Sequence, residues 1–130
     1  MKIDHIGYAV KNIEKAIAGF EALGYQFEPV VPDEDRNVYI SFGENDGYRV
    51  ELIAPMDKSK ESPVDGVLSK NGAAAYHICY KSANLEEEIE KLQKERFRVV
   101  INPAPAVAFG GKRVVFMMNL SVGLLEIVEE

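Results

Sequence analysis

The stretch Ala75-Tyr76-His77-Ile78-Cys79-Tyr80 repeats, in pattern and in surroundings, the earlier stretch Ile3-Asp4-His5-Ile6-Gly7-Tyr8. Asn12 follows His5, and Asn84 follows His77, at the same interval of seven residues. These asparagines open Asn12-Ile13-Glu14-Lys15 and Asn84-Leu85-Glu86-Glu87. Each predicts a helix start, because a side-chain oxygen there accepts one of the backbone N–H groups that the first turn leaves over. Each half then closes on an apolar stretch holding one glutamate, Tyr48-Arg49-Val50-Glu51-Leu52-Ile53 and Gly123-Leu124-Leu125-Glu126-Ile127-Val128. An echo on this scale implies two copies of one supersecondary unit. Each copy offers one imidazole and one carboxylate.

Outward from the histidines, the first half reads as a strand over 3–10 and then a helix. Ile13, Ala16, Ile17, Phe20 and Leu23 recur at helical spacing until Gly24 stops them. Short strands follow over 25–30, 37–42 and 48–53, parted by Pro32-Asp33-Glu34-Asp35 and by Gly43-Glu44-Asn45-Asp46-Gly47. The segment 55–74 is a linker holding Pro55, Pro63, Gly66 and Gly72, with room for a short apolar turn at Val64, Val67 and Leu68 after Ser62-Pro63. The second half restarts with a strand over 75–80 and a helix over 84–96 that turns Leu85, Ile89 and Leu92 inward. A strand over 97–101 is broken by Pro103-Ala104-Pro105-Ala106, and a closing pair covers 112–118 and 122–128 after the turn Gly110-Gly111. The expectation is an α+β domain over 1–130, made of βαβββ modules at 3–54 and 75–129. One module of about 60 residues buries too little to be comfortably stable alone, so the copies are expected to share a core or to pair as a homodimer.

Composition narrows the partners. The chain has 130 residues, is 47% hydrophobic and 28% charged, and carries a net charge of −6. Disorder is excluded by this balance, and the acidity disfavours nucleic acid or an anionic membrane. No stretch approaches the roughly 20 apolar residues of a membrane span. The single cysteine, Cys79, has no partner for an internal disulfide and sits in an apolar strand, so it reads as a small buried thiol in a reducing, cytoplasmic setting.

Glu126 demands an explanation. Alternation places it on one strand face with Leu124 and Val128 and puts Leu125 and Ile127 on the other, so neither face is polar. An ionised carboxylate buried without a partner costs several kcal/mol or more. A solvent-facing edge strand is the plain alternative; otherwise Glu126 requires a cation, a basic side chain or a raised pKa. Glu51 is less demanding, since Arg49 shares its face. A lone strand histidine is usually a core or surface residue. The chain has only two, however, and both stand at the equivalent repeat position. Two imidazoles and two carboxylates around one point suit a divalent transition metal with positions left for water or substrate.

The chain resembles the vicinal oxygen chelate superfamily, whose paired βαβββ modules form a cupped mixed sheet around a metal, and within it the methylmalonyl-CoA epimerases. The resemblance rests on residues 3–10, on Glu51-Leu52-Ile53-Ala54-Pro55, on Ser62-Pro63-Val64 and Leu68-Ser69-Lys70-Asn71-Gly72, on His77-Ile78-Cys79, and on Gly111-Lys112-Arg113-Val114-Val115-Phe116 with the closing strand. It covers nearly the whole chain. By position it implies His5, Glu51, His77 and Glu126 as ligands of a divalent ion, with cobalt, nickel, zinc and manganese unranked. It also implies an acid/base glutamate shortly before the strand at 38–42, followed closely by glycine. This chain has acids there but no glycine, and Asp33 and Glu34 are equal candidates beside the plain reading of a solvated turn. Tyr76 stands where the family commonly has a first histidine, and Asn119-Leu120-Ser121-Val122 is shorter and less polar than the equivalent loop.

The chemistry so implied is a 1,2-proton transfer beside the carbonyl of an acyl thioester, with Glu126 and one of the Asp33/Glu34 acids as acid/base residues and a metal-stabilised enolate between them. Two alternatives stand beside it. One is a lactoylglutathione lyase of the glyoxalase I kind, which can use the same ligand types. The other is a metal-free binding or resistance protein on the same scaffold, against which the presence of all four ligand-type residues argues.

Overall fold

The computed structural model describes residues 1–130. Strand β1 covers Lys2–Ala9, helix α1 Ile13–Ala22, β2 Gln26–Phe27, β3 Val31–Asp33, β4 Val38–Asn45 and β5 Tyr48–Pro55. Helix α2, Asp65–Asn71, occupies the middle segment. The second series is β6 Ala74–Ser82, α3 Leu85–Lys94, β7 Arg98–Pro105, β8 Arg113–Asn119 and β9 Gly123–Glu129, with a 3-10 turn at Val107–Phe109 between β7 and β8. The strands form mixed open sheet, ordered β2-β4-β5-β1 with β3 on β4 in the first series and β6-β9-β8-β7 in the second. The fold is α+β, with each series built as the repeat predicts. The contacts divide the chain into compact units, residues 5–76 and residues 1–4 with 77–130.

Both helix starts are built as the repeat predicts. The Asn12 side chain accepts from the Lys15 N–H at 2.9 Å, and Asn84 accepts from the Glu87 N–H at 3.1 Å. Within residues 5–76, Val50, Leu52 and Ala54 of β5 pack with Val10, Ile13, Ile17 and Phe20. In the other unit, Leu125 and Ile127 of β9 pack with Leu85, Ile89, Leu92, Val115 and Met117. Alternation therefore turns the residues between them, Glu51 and Glu126, to the opposite sheet face. Leu23 leaves the expected apolar face: it caps the end of α1 and is 70% exposed.

Three expected boundaries shift, each for a backbone reason. The strand foreseen over 25–30 splits into β2 and β3, because Pro29 has no N–H for the ladder. The run Pro32-Asp33, expected as a separator, partly joins β3, which pairs only with β4 through Val31↔Ile40, Pro32↔Tyr39 and Asp33↔Val38. A proline is tolerated on such an edge. For the same reason β7 runs on through Pro103 to Pro105 at the other edge of the sheet, its register shifting between Val99 and Ile101 and between Ile101 and Ala104. Bulges of this kind absorb residues that cannot complete the ladder. The β4–β5 hairpin is tighter than expected. Asn45 pairs with Tyr48, and Asp46 and Gly47 alone make the turn with φ of 52° and 79°, the backbone of a two-residue hairpin loop whose twist suits the strands.

Candidate metal centre

Two half-sites are assembled by the same steps. In residues 5–76, β1 runs parallel to β5 with Gly7 opposite Glu51, which sets His5 and Glu51 on one sheet face. The His5 Nε2 stands 3.2 Å from Glu51 Oε1, and the side chains are 0% and 5% exposed. In the other unit β6 runs parallel to β9 with Cys79 opposite Glu126. The His77 Nε2 stands 2.9 Å from Glu126 Oε2, with side chains 0% and 4% exposed. Cys79 is fully buried, as its apolar strand implies.

Each half-site also holds a phenylalanine that the sequence did not single out. Phe42 lies opposite Glu51 on β4, and Phe116 lies opposite Glu126 on β8. The His5 and Phe42 ring centres are 5.4 Å apart at 73°, and those of His77 and Phe116 are 5.4 Å apart at 88°. Edge-on contact of this kind is a favoured aromatic geometry. It fixes the plane of each imidazole and covers one side of it with hydrocarbon.

His5, Glu51, His77 and Glu126 are all four buried, one histidine–glutamate pair in each unit. The donor set fits a divalent ion. Ligands about 2.1 Å from one ion and at right angles to each other stand roughly 3.0 Å apart, close to the 3.2 and 2.9 Å of the two imidazole–carboxylate pairs. Nitrogen and carboxylate donors together suit zinc, cobalt, nickel or manganese. The burial of the two carboxylates is thereby given a physical purpose, since a cation offsets what their desolvation costs.

The acids of the β3–β4 turn are placed differently. Asp33 is 3% exposed, and its two carboxylate oxygens accept from the Arg36 backbone N–H at 3.1 Å and from Arg36 Nη1 at 3.0 Å. Glu34 is exposed on the turn that follows. Asp33 shares the sheet face of Phe42 and Glu51, but its partner Val38 is four residues from Phe42 along β4, about 13 Å at strand rise. The glycine implied after the acid is replaced by Asn37, which adopts a left-handed φ of 56°. Its side chain donates to the carbonyls of Asp57 at 2.9 Å and Glu61 at 3.1 Å and accepts from the Asp57 N–H at 2.8 Å. An asparagine tolerates that backbone better than most residues, and here it also ties the turn to the segment after β5.

Fold and site together define a repeat-built protein with a buried histidine–glutamate group able to hold a metal. The model of the glyoxalase/bleomycin resistance protein/dioxygenase superfamily matches residues 4–116, and the chain belongs to that superfamily. An uncharacterized protein of Bacillus subtilis (strain 168) is 30% identical over 117 residues, covering 89% of this chain and 81% of that protein. The mitochondrial methylmalonyl-CoA epimerase of Dictyostelium discoideum is 26% identical over 132 residues, covering 99% of this chain and 78% of that protein. A solved structure of a methylmalonyl-CoA epimerase in complex with methylmalonyl-CoA and an ammonium ion has the same fold, with a TM-score of 0.82 at 23% identity over 99% of this chain and 94% of that one. No helix of this chain is long and apolar enough to cross a membrane.

Proposed function

We propose that the chain is a metal-dependent isomerase that moves a proton at the carbon beside a thioester carbonyl, epimerising a 2-methyl-branched acyl-CoA of the methylmalonyl-CoA kind. The observation that carries this reading is that each half buries a histidine–glutamate pair, His5 with Glu51 and His77 with Glu126, in a chain whose superfamily relatives include a methylmalonyl-CoA epimerase. These four residues would hold the ion. Bound there, a divalent ion supplies positive charge for the enolate oxygen that develops when the proton leaves.

The chain's own residues do the rest. Glu126 is the acid/base residue on one side, its carboxylate kept in place by His77 at 2.9 Å and shut from bulk water by the apolar strand around it. Phe116 and Phe42 hold the imidazoles in fixed planes, so the cost of orienting the group is met on folding and not at the moment of reaction. Of the turn acids, Asp33 is committed to Arg36, which leaves Glu34 to act from the other side once the turn moves onto a bound substrate. The same reading makes the protein a homodimer; a monomer by light scattering across micromolar concentrations would remove that part.

The deciding experiment is proton exchange in deuterated buffer. Protein purified without a histidine tag is analysed for metal and then offered methylmalonyl-CoA and, separately, the hemithioacetal of methylglyoxal and glutathione. Deuterium entering the C2 position of methylmalonyl-CoA, dependent on metal, is the expected result. Turnover of the hemithioacetal alone would move the chain to the lyase reading, and tight binding of a small molecule with no exchange and no metal would make it a binding protein.

A further inference from the structure

The half-sites differ in charge on the ligand face at the position two residues before the glutamate. Two residues before Glu51 on the same strand face stands Arg49, opposite Glu44; two residues before Glu126 stands Leu124, opposite Met118. One half carries a charged pair where the other carries an apolar one. Arg49 is half-buried. Its Cζ lies 4.0 Å from the centre of the Phe42 ring, the same ring that meets His5 at 5.4 Å. The guanidinium is thus within one small molecule's length of the His5–Glu51 pair.

It borders an open cleft of about 550 Å³, whose lining includes Gln26, Phe27, Phe42 and Asn45. The other charges there, Glu28, Glu44 and Asp46, are all exposed at the rim. A guanidinium stacked on an aromatic face still directs its N–H groups outward in the ring plane. Five donors let a guanidinium serve more than one acceptor at once. Its fork matches a carboxylate in two parallel hydrogen bonds. The three rim carboxylates repel a polyanion more strongly than a single carboxylate, so the phosphate-bearing end of a coenzyme suits this cleft less well than a carboxylate held by Arg49.

Resting on the acyl-thioester reading above, we propose that Arg49 is a specificity-determining residue that binds a carboxylate carried on the acyl part of the substrate. The test is equilibrium binding, by titration calorimetry at fixed salt, of methylmalonyl-CoA and isobutyryl-CoA, which differ by a carboxylate in place of a methyl group. Wild type, Arg49→Met and Arg49→Lys are compared, with bound metal measured in each. Wild type is expected to prefer the carboxylated probe by about 10- to 100-fold, the worth of a charge-assisted pair. Arg49→Met is expected to level the two probes without loss of metal or of isobutyryl-CoA binding, and Arg49→Lys to keep part of the preference. A preference that survives in Arg49→Met, or an equal weakening of both probes, overturns the proposal. If neither probe binds wild type, the thioester reading itself fails and Arg49's role falls with it.

Discussion

Replacing Glu126 by glutamine keeps the volume and removes one charge from the buried group, and its effect should appear only when metal is present. Without metal two terms oppose. Glu126 is 3% exposed, and the substitution relieves the cost of burying its ionised carboxylate. It also puts a neutral amide in place of the carboxylate that approaches His77 at 2.9 Å. The metal-free melting temperature should therefore change little. With metal at 100 times its dissociation constant, binding stabilises the folded wild type by about 2.7 kcal/mol. If losing one charged ligand weakens affinity about a hundredfold, the same metal stabilises the variant by only about 0.4 kcal/mol. At about 3–5 °C per kcal/mol for a domain of this size, wild type should gain roughly 10 °C and the variant roughly 1–2 °C. Thermal unfolding with chelator, and then with zinc, cobalt, nickel or manganese in turn, reads both numbers. An equal metal-induced rise in the two proteins would refute the assignment of Glu126 as a ligand, whatever happened to activity.

The remaining predictions concern the frame. Asn12→Ala and Asn84→Ala each remove a helix cap and should cost about 1 kcal/mol in urea denaturation; no loss would mean that the capping bonds at 2.9 and 3.1 Å contribute nothing. Gly43→Ala should cost about 1–3 kcal/mol, because a Cβ there meets the Phe27 ring, and Phe27→Leu in the same chain should recover part of it. Asn37→Gly keeps the left-handed backbone and loses the side-chain bonds to 57–61, so hydrogen exchange should quicken in that segment with little change in the core. Arg113 holds the carboxyls of Glu86 and Glu129 below their ordinary range by direct hydrogen bonds. That stability is full above the unfolded carboxyl pKa and fades as pH falls through the lowered folded values, so Arg113→Met should lower stability at neutral pH, leave it nearly unchanged at low pH, and thereby flatten the acid limb of the stability–pH curve.

The candidate metal ligands were legible because a repeat makes position informative. His5 and His77, like Asn12 and Asn84, are 72 apart, since the interval from histidine to asparagine is seven residues in both halves. Phe42 and Phe116 were hidden for the converse reason. Their hairpins close on two residues, Asp46 and Gly47, in one half and on three, Leu120 to Val122, in the other. The phenylalanines are consequently offset by a different interval from the glutamates they face, and only strand register reveals that each sits opposite its glutamate. Edge strands were misread where proline suggested a break, because sequence alone does not say which strand lies at an edge. Asp33 shows the limit most directly. Its residue type and place match an acid/base, yet both its oxygens are taken by Arg36 three residues on, a partnership that depends on the local turn and leaves no periodic trace. Repeats expose what the two halves share; the differences between halves, such as Arg49 against Leu124, are where this chain's own specificity is to be sought.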